Sequence, residues 1–470
     1  MTVKSGRTVT KVDLPTGTAD VSPAISAVRR EFRSSRKKPL RASRSLRARR
    51  PRSQRFTLGL LLIMLFIEPV PAQTPTRQIA NRGEPQVFLL EAKQLQSTKG
   101  RLLAGDKTLA AAITKLEQEA QKALTVGPFS VVSKDPTPPS GDKHDYMSQA
   151  PYFWPDPKSP NGLPYIRRDG ERNPEINKIT DHRSMDLMVS AVETLALAYY
   201  FKGDEAYADK AALLLRAFFL DPKTRMNPHL QYAQFIPGVN TGRGIGLIET
   251  RGLTRVVDAV GLLAGAKSLT EVDRRGLQEW FAKFLQWMQE SKNGRDEAAA
   301  KNNHGTYYDL QVASFALFLG KTDLAIEVLQ ASRQKRIATQ IEPDGRQPLE
   351  LVRTKAWSYS VGNLDGLMLL ARLGENVSVD LWNYQTPDGR SIHRALDYLV
   401  PFSFGEQKWT HQQLGEWPPQ MLFPLIRRAA LRYNFAAYQS LLAKLPSVDA
   451  ADRRNLLQPA TGRIAGISAH

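Results

Sequence analysis

Apolar positions recur three and four residues apart through most of the chain after residue 85. "VFLLEAKQLQSTKG" and "DKTLAAAITKLEQEAQKALTV" (residues 87–100 and 106–126) carry this spacing with few breakers, the pattern of amphipathic helices. From Gly127 to about Pro174 the texture changes to one dense in Pro, Gly, Asp and aromatic residues, where no helix of length fits. A long ordered loop or lid is expected there, and such loops inside a folded domain usually carry function. Helical spacing returns in "DHRSMDLMVSAVETLALAYYFKG" and "EAYADKAALLLRAFFL", then breaks at "DPKTRMNPHLQYAQFIPGVNTGRGIG". It resumes from "GLIETRGLTRVVDAVGLLAG" to "FAAYQSLLAKL", and no comparable run alternates with period two. The pattern predicts an all-α chain of roughly a dozen paired helices. A fixed-period repeat is absent, which argues against a solenoid and leaves a bundle or a closed α/α toroid. In a toroid the loops at one end line a cleft, so the polar oddities confined to loops would converge there.

Composition then divides the chain. Of 65 Lys+Arg and 46 Asp+Glu, residues 1–72 hold 16 and 4, a net of +12; the remaining 49 and 42 leave +7. The overall +19 is therefore mostly a leader effect, with only a mild hint of an anionic partner in the rest and no case for nucleic acid. "RRPRSQRF", "TLGLLLIMLFI" and "EPVPAQ" read as the basic, apolar and small-residue parts of a signal peptide. The apolar stretch is short for a membrane span. Cleavage is expected after about Ala72, a periplasmic location follows, and no stable membrane span remains after cleavage. Residues 1–72 form the leader and 73–470 a single domain with its core at about 85–435. The chain has no cysteine, which excludes thiolate metal sites and cysteine nucleophiles and leaves stability to core burial.

Four stretches could carry chemistry. "NNHGTYYDLQ" puts Asn302, Asn303 and His304 at the mouth of a helix whose apolar spacing starts at Tyr307. Asn302 suits an N-cap, but a cap explains only one of the three. "IEPDGRQPLELVRTKAWSYSVGNLDGL" offers Arg353 and Tyr359. Six residues apart on one helix, they would stand about 120° apart and could share a cleft only at a helix end or across a break. Glu350, three before Arg353, has the spacing to orient its guanidinium. The third stretch, "HDYMSQAPYFWPDPKSPNGLPYIRRDG", supplies Tyr146, Tyr152 and Trp154, aromatic faces that suit sugar rings, and Arg167, which suits a carboxylate. In the fourth, Gln234 and Arg243 flank a glycine-rich turn that has neither the strand nor the spacing of a nucleotide-binding loop. The seven histidines form no ligand-spaced cluster, so no metal and no cofactor are expected. Asp156, Asp169, Glu249 and Asp365 keep a two-carboxylate glycoside hydrolase open. A non-catalytic polysaccharide-binding protein is the other alternative, since aromatic loops alone would serve it.

"NNHGTYYDLQ", "DYMSQAPYFWPDP…GLPYIRRDGERNPE" and "DGRQPLELVRTKAWSYSVGNLDGL", in this order, resemble the alginate-lyase-like polysaccharide lyases, toroidal enzymes that depolymerise polyuronates. The resemblance spans roughly residues 85–435. It implies a catalytic set of Asn303, His304, Arg353 and Tyr359, with Asn302 assisting and Tyr152 and Trp154 in a loop that closes over the sugar. Tyr146, Arg167, His182, Gln234, Arg243 and Trp357 complete the set expected to bind substrate. The implied partner is an anionic polysaccharide and the implied reaction a β-elimination, on mannuronate-rich alginate first and glucuronan second. Removing the proton at C5 of a uronate places a second negative charge beside the carboxylate, so donors that neutralise that group are the main requirement. A base and an acid must flank C5 and C4. Arg353 is expected to lower the pKa of Tyr359, as a neighbouring positive charge does.

Overall fold

A computed structural model describes residues 84–433 and 436–458, all within the unit Arg77–His470. The leader and its cleavage site lie outside the described residues. Two amphipathic helices, α1 (Ala92–Leu103) and α2 (Ala110–Leu124), lead into α3 (Asp181–Lys202) and α4 (Glu205–Leu215). Then come α5 (Leu253–Leu262), α6 (Glu271–Glu290), α7 (Lys292–Ala298), α8 (Asn303–Phe318) and α9 (Thr322–Ser332). The chain continues with α10 (Pro348–Leu351), α11 (Ala356–Glu375), α12 (Ile392–Ser403) and α13 (Phe423–Arg432).

Helices α3, α5, α8 and α11 form an inner row, each packed on the next, while α4, α6, α9 and α12 pack outside them. This is the double layer of an α/α toroid. The inner helices are apolar almost all round: α8 buries Leu310, Val312, Ala313, Phe315, Ala316 and Leu317 on successive faces. A helix enclosed on every side has no polar stripe to keep. The outer α6 keeps one, burying Leu277, Trp280, Phe281, Phe284, Leu285 and Met288 at helical spacing. A capping box at Thr270 and Asp273 fixes its start. A cavity of about 480 Å³ lies between α3, α5, α8 and α11, with His182, Glu249, Arg251, Tyr307 and Asp365 on its walls. Among the described residues no helix is long and apolar enough to cross a membrane.

The irregular segments are stapled by strands too short for a period-two pattern to reveal. β1 (Met147–Gln149) runs parallel to β4 (Tyr232–Phe235), and β2 (Phe153–Trp154) pairs antiparallel with β3 (Ile166–Arg167). The aromatic loop thus contains a hairpin, and its far side rests on the turn after β4, where Tyr165 N–H donates to Pro237 O at 3.0 Å.

Candidate active site

The first turns of α8 and α11 lie side by side. Thr306 Oγ1 donates to Asn363 Oδ1 at 2.8 Å and Tyr307 Oη to Gly362 O at 2.9 Å, so the two helix starts face the same end of the ring. Their N-terminal partial positive charges favour an anion at that end. Asn302 stands at the N-cap position of α8, but its side chain makes no capping bond. Glu350 does that work: Oε1 accepts the backbone N–H of Asn303 at 2.7 Å and Oε2 accepts Asn303 Nδ2 at 2.8 Å. Glu350 is buried, and burial raises its pKa against the opposing pull of Asn303 and Arg353. The carboxylate expected to orient Arg353 orients Asn303 instead, because the short helix α10 turns it inward toward α8.

His304 is tied down by a residue the sequence reading did not single out. Its Nδ1 lies 2.7 Å from Oε1 of Glu297, which is 1 % exposed at the end of α7. That contact leaves Nε2 for the cleft. The pairing of Glu297 with His304 crosses a break between two helices, so helical spacing carries no signal for it.

A break also explains Arg353 and Tyr359. Val352–Lys355 is non-helical between α10 and α11, which lets Arg353 fold back over the first turn of α11. Arg353 Nη2 donates to Tyr359 Oη at 2.8 Å, and the guanidinium lies 3.9 Å from the tyrosine ring centroid. Asp169, just past β3, takes most of the rest of the fork: Arg353 Nε donates to Oδ2 at 3.1 Å and Nη2 to Oδ1 at 2.8 Å. Thr354 adds its N–H at 3.3 Å and Oγ1 at 3.0 Å to Oδ2. Burial alone would raise the Asp169 carboxyl, but these donors outweigh it and hold the group far below the ordinary carboxylate range. Tyr359 donates in turn to Tyr152 Oη at 3.1 Å. Burial, then the bond to Tyr152, pushes the Tyr359 hydroxyl well above 10, although Arg353 pulls the other way. The expected lowering by Arg353 is present and is outweighed.

The other predicted residues separate. Trp154 sits on β2, its Nε1 donating to Glu171 O at 3.0 Å and its ring under Arg168 at 5.4 Å. Arg167 is exposed on β3 and reaches Asp169 at 2.7 Å. Gln234 and Arg243 bond to each other, with Nη2 donating to Oε1 at 2.9 Å. His182 lies on the inner cavity, 3.4 Å from Asp186, and makes no contact with the catalytic set. Two assignments fail. Tyr146 is fully buried and donates to Glu249 Oε2 at 2.7 Å, behind the site. Trp357 is also fully buried, packed against Trp409 and Trp417 with Nε1 on Pro418 O, because its position on α11 points into the core.

Three of the four carboxylates that kept a hydrolase open are engaged by side chains, while Asp156 accepts the backbone N–H of Lys158 at 2.9 Å. Asp169 is locked by Arg353, Glu249 accepts from Tyr146 and from Ser148 at 2.6 Å, and Asp365 pairs with Arg428 at 2.7 Å. An arginine-locked carboxylate far below its ordinary pKa is no general acid. The ring of paired helices thus gathers a phenol, a guanidinium, an imidazole and an amide at one end. The alginate lyase family pattern matches residues 130–409, and the chain belongs to that family. It is similar to the crystal structure of an alginate lyase from Bacteroides ovatus, with 42% identity and a TM-score of 0.77 over 79% of this chain and 99% of that one. A variant of alginate lyase A1-III complexed with a tetrasaccharide shares the fold at 15% identity, with a TM-score of 0.52 over 82% and 98% of the two chains. No curated protein matches.

Proposed function

We propose that the chain cleaves a polyuronate by β-elimination, with mannuronate-rich alginate as the leading substrate and glucuronan second. The observation that carries this reading is the phenol of Tyr359, held between Arg353 and Tyr152 in the first turn of α11, beside the helix start that bears Asn303 and His304. In mannuronate and glucuronate the C5 hydrogen and the C4 oxygen share a face. One group can serve both: Tyr359, as tyrosinate, takes the C5 proton, the electron pair closes the C4–C5 double bond, and the same proton passes to the departing C4 oxygen. Helix N-termini and polar donors at this end offset the second charge that builds on the carboxylate. His304, steadied by Glu297, supports that charge.

A second reading has an observation of its own. Tyr359 holds its proton firmly in the resting site, which suits an acid better than a base. With guluronate the two groups lie on opposite faces, and His304 would take the proton while Tyr359 delivers one to the leaving oxygen. The pH profile separates the two. Syn elimination by tyrosinate accelerates as pH climbs through the alkaline range, because the reactive form accumulates; anti elimination with Tyr359 as acid slows there. The test is the ultraviolet absorbance of unsaturated ends released from mannuronan, guluronan and glucuronan by residues 73–470. If none of the three yields an unsaturated product at any pH, the lyase reading fails.

A further inference from the structure

The reaction needs a cation for the carboxylate of the sugar under attack, and Arg353 is poorly placed to be it. Its Nε and Nη2 are taken by Asp169, and Nη2 also serves Tyr359. Its charge is already matched by a carboxylate, so its effect falls on the tyrosine.

Arg243 is in the opposite condition. Its Nε donates to Gln234 O at 3.1 Å and its Nη2 to Gln234 Oε1 at 2.9 Å, both neutral acceptors. The guanidinium carbon lies 5.1 Å from the Phe153 ring centroid. Among the described residues it forms no ion pair, and its Nη1 makes no hydrogen bond and is not among the enclosed polar atoms. A half-buried guanidinium held by neutral groups, with one edge open, is prepared for an anion from outside. Burial pushes its pKa down, and the charges of Glu249 and Glu297 offset that only in part.

Its surroundings place it at the catalytic residues. The Arg243 N–H donates to Ala233 O on β4 at 3.1 Å, and a β-carbon at the following Gly244 would fall 3.2 Å from the backbone nitrogen of Glu297. Glu297 is the partner of His304. On the other side, Phe153 follows Tyr152, whose hydroxyl receives Tyr359. Arg243 therefore stands between the two halves of the site. The setting is also costly to build. Gln234, which aims the guanidinium, has φ +49, a conformation that side-chain-bearing residues rarely adopt, and its N–H is fixed by Ser148 Oγ at 2.8 Å, itself bonded to Glu249.

We infer that Arg243, aimed by Gln234, receives the carboxylate of the uronate being cleaved, while Arg353 acts on Tyr359. This rests on the polyuronate reading above. The two arginines thus take separate tasks, one at the sugar carboxylate and one at the phenol.

The test has a kinetic arm and a binding arm. Arg243→Ala, with circular dichroism unchanged, is expected to lower kcat by ~10²–10³, the usual loss for one donor to a developing charge. Arg243→Lys, which keeps the charge but not the fork, should recover part of it and guards against a fold defect in the alanine variant. Wild type should turn over methyl-esterified polyuronate poorly relative to the free acid, and in Arg243→Ala that preference should collapse. For binding, calorimetry with mannuronate oligomers compares Tyr359→Phe with Tyr359→Phe/Arg243→Ala. Affinity that drops at least tenfold in the double variant, with no difference for carboxyl-reduced oligomers, upholds the assignment even if wild type proves inactive and the lyase reading fails. A folded Arg243→Ala protein with kcat, KM and ester preference within twofold of wild type overturns it.

Discussion

In the proposed elimination the chemistry turns on Tyr359, and its neighbours act on it with opposite signs. The bond it donates to Tyr152 stabilises the protonated form, and the Arg353 charge stabilises the tyrosinate. Tyr152→Phe should therefore move the alkaline limb of the pH–rate profile to lower pH, and Arg353→Gln should move it to higher pH. Equal displacement in the same direction by both variants would show that neither acts through the ionisation of Tyr359. Tyr359→Phe should remove at least ~10³ of kcat with the fold retained, since phenylalanine can neither take nor give the proton. Substantial activity in that variant would pass the role to His304. Glu297 makes a third case. It is buried with Oε2 unpartnered in the described structure, and Oε1 fixes the ring of His304. Glu297→Gln keeps the shape but removes the charge beside the imidazole, and a loss of ~10² in kcat with little change in KM is the expected result. A shift in KM alone would make Glu297 part of the sugar-binding wall.

At the scale of elements, the hairpin β2–β3 is the part that joins the two sides of the site. It brings Tyr152 to Tyr359 and Asp169 to Arg353, and it lays Phe153 beneath Arg243. Gly170 makes the close approach possible: its φ is +80, and a β-carbon there would sit 2.4 Å from Thr354 Oγ1. Gly170→Ala should cost about 1–3 kcal/mol through the strained backbone alone and pull Asp169 off Arg353. Faster proteolysis within residues 151–170 and a lowered kcat together would bear this out, whereas an unchanged digestion pattern with full activity would not. The same elements mark how far the sequence could be read. Long helices were legible because burial on one face imposes a 3.6-residue period, and the loop from Gly127 was legible because nothing in it could sustain that period. Strands of two to four residues leave no period to read. Asn303, His304, Arg353 and Tyr359 stood out as residue types at odd positions, but which acid holds which did not. Spacing matched Glu350 to Arg353, Asp169 stood only among carboxylates for a hydrolase, Glu297 carried no signal, and only the toroid's packing brings the three to the residues they hold. Tyr146 and Trp357 failed for the converse reason, since an aromatic beside a functional motif can equally be the core that supports it.

For the whole molecule the electrostatic problem is one of distribution. Beyond residue 72 the chain carries 49 Lys+Arg against 42 Asp+Glu, nearly balanced, and pairs such as Lys292–Asp296 and Lys444–Glu406 are exposed. Arg167, Arg168, Arg243 and the starts of α8 and α11 add positive charge near the candidate site. The leader ending at Ala72, which we propose directs export, would otherwise add +12 of its own. N-terminal sequencing of the exported protein should begin at Gln73, and a retained leader would refute that assignment. With the leader gone, attraction to a polyanion would rest on these local charges, and salt screens them over a Debye length of about 10 Å at 0.1 M. Raising ionic strength from about 20 to about 300 mM should therefore raise KM several-fold and leave kcat nearly constant, because the enclosed donors around the reacting sugar are screened far less than the approach to them. The leader-bearing chain should show a steeper dependence than residues 73–470, since its extra charge acts only at long range. A KM for residues 73–470 that does not move with salt would place recognition in the aromatic walls formed by Tyr152 and Trp154. A kcat that falls in parallel would mean that solvent ions reach Arg243 itself.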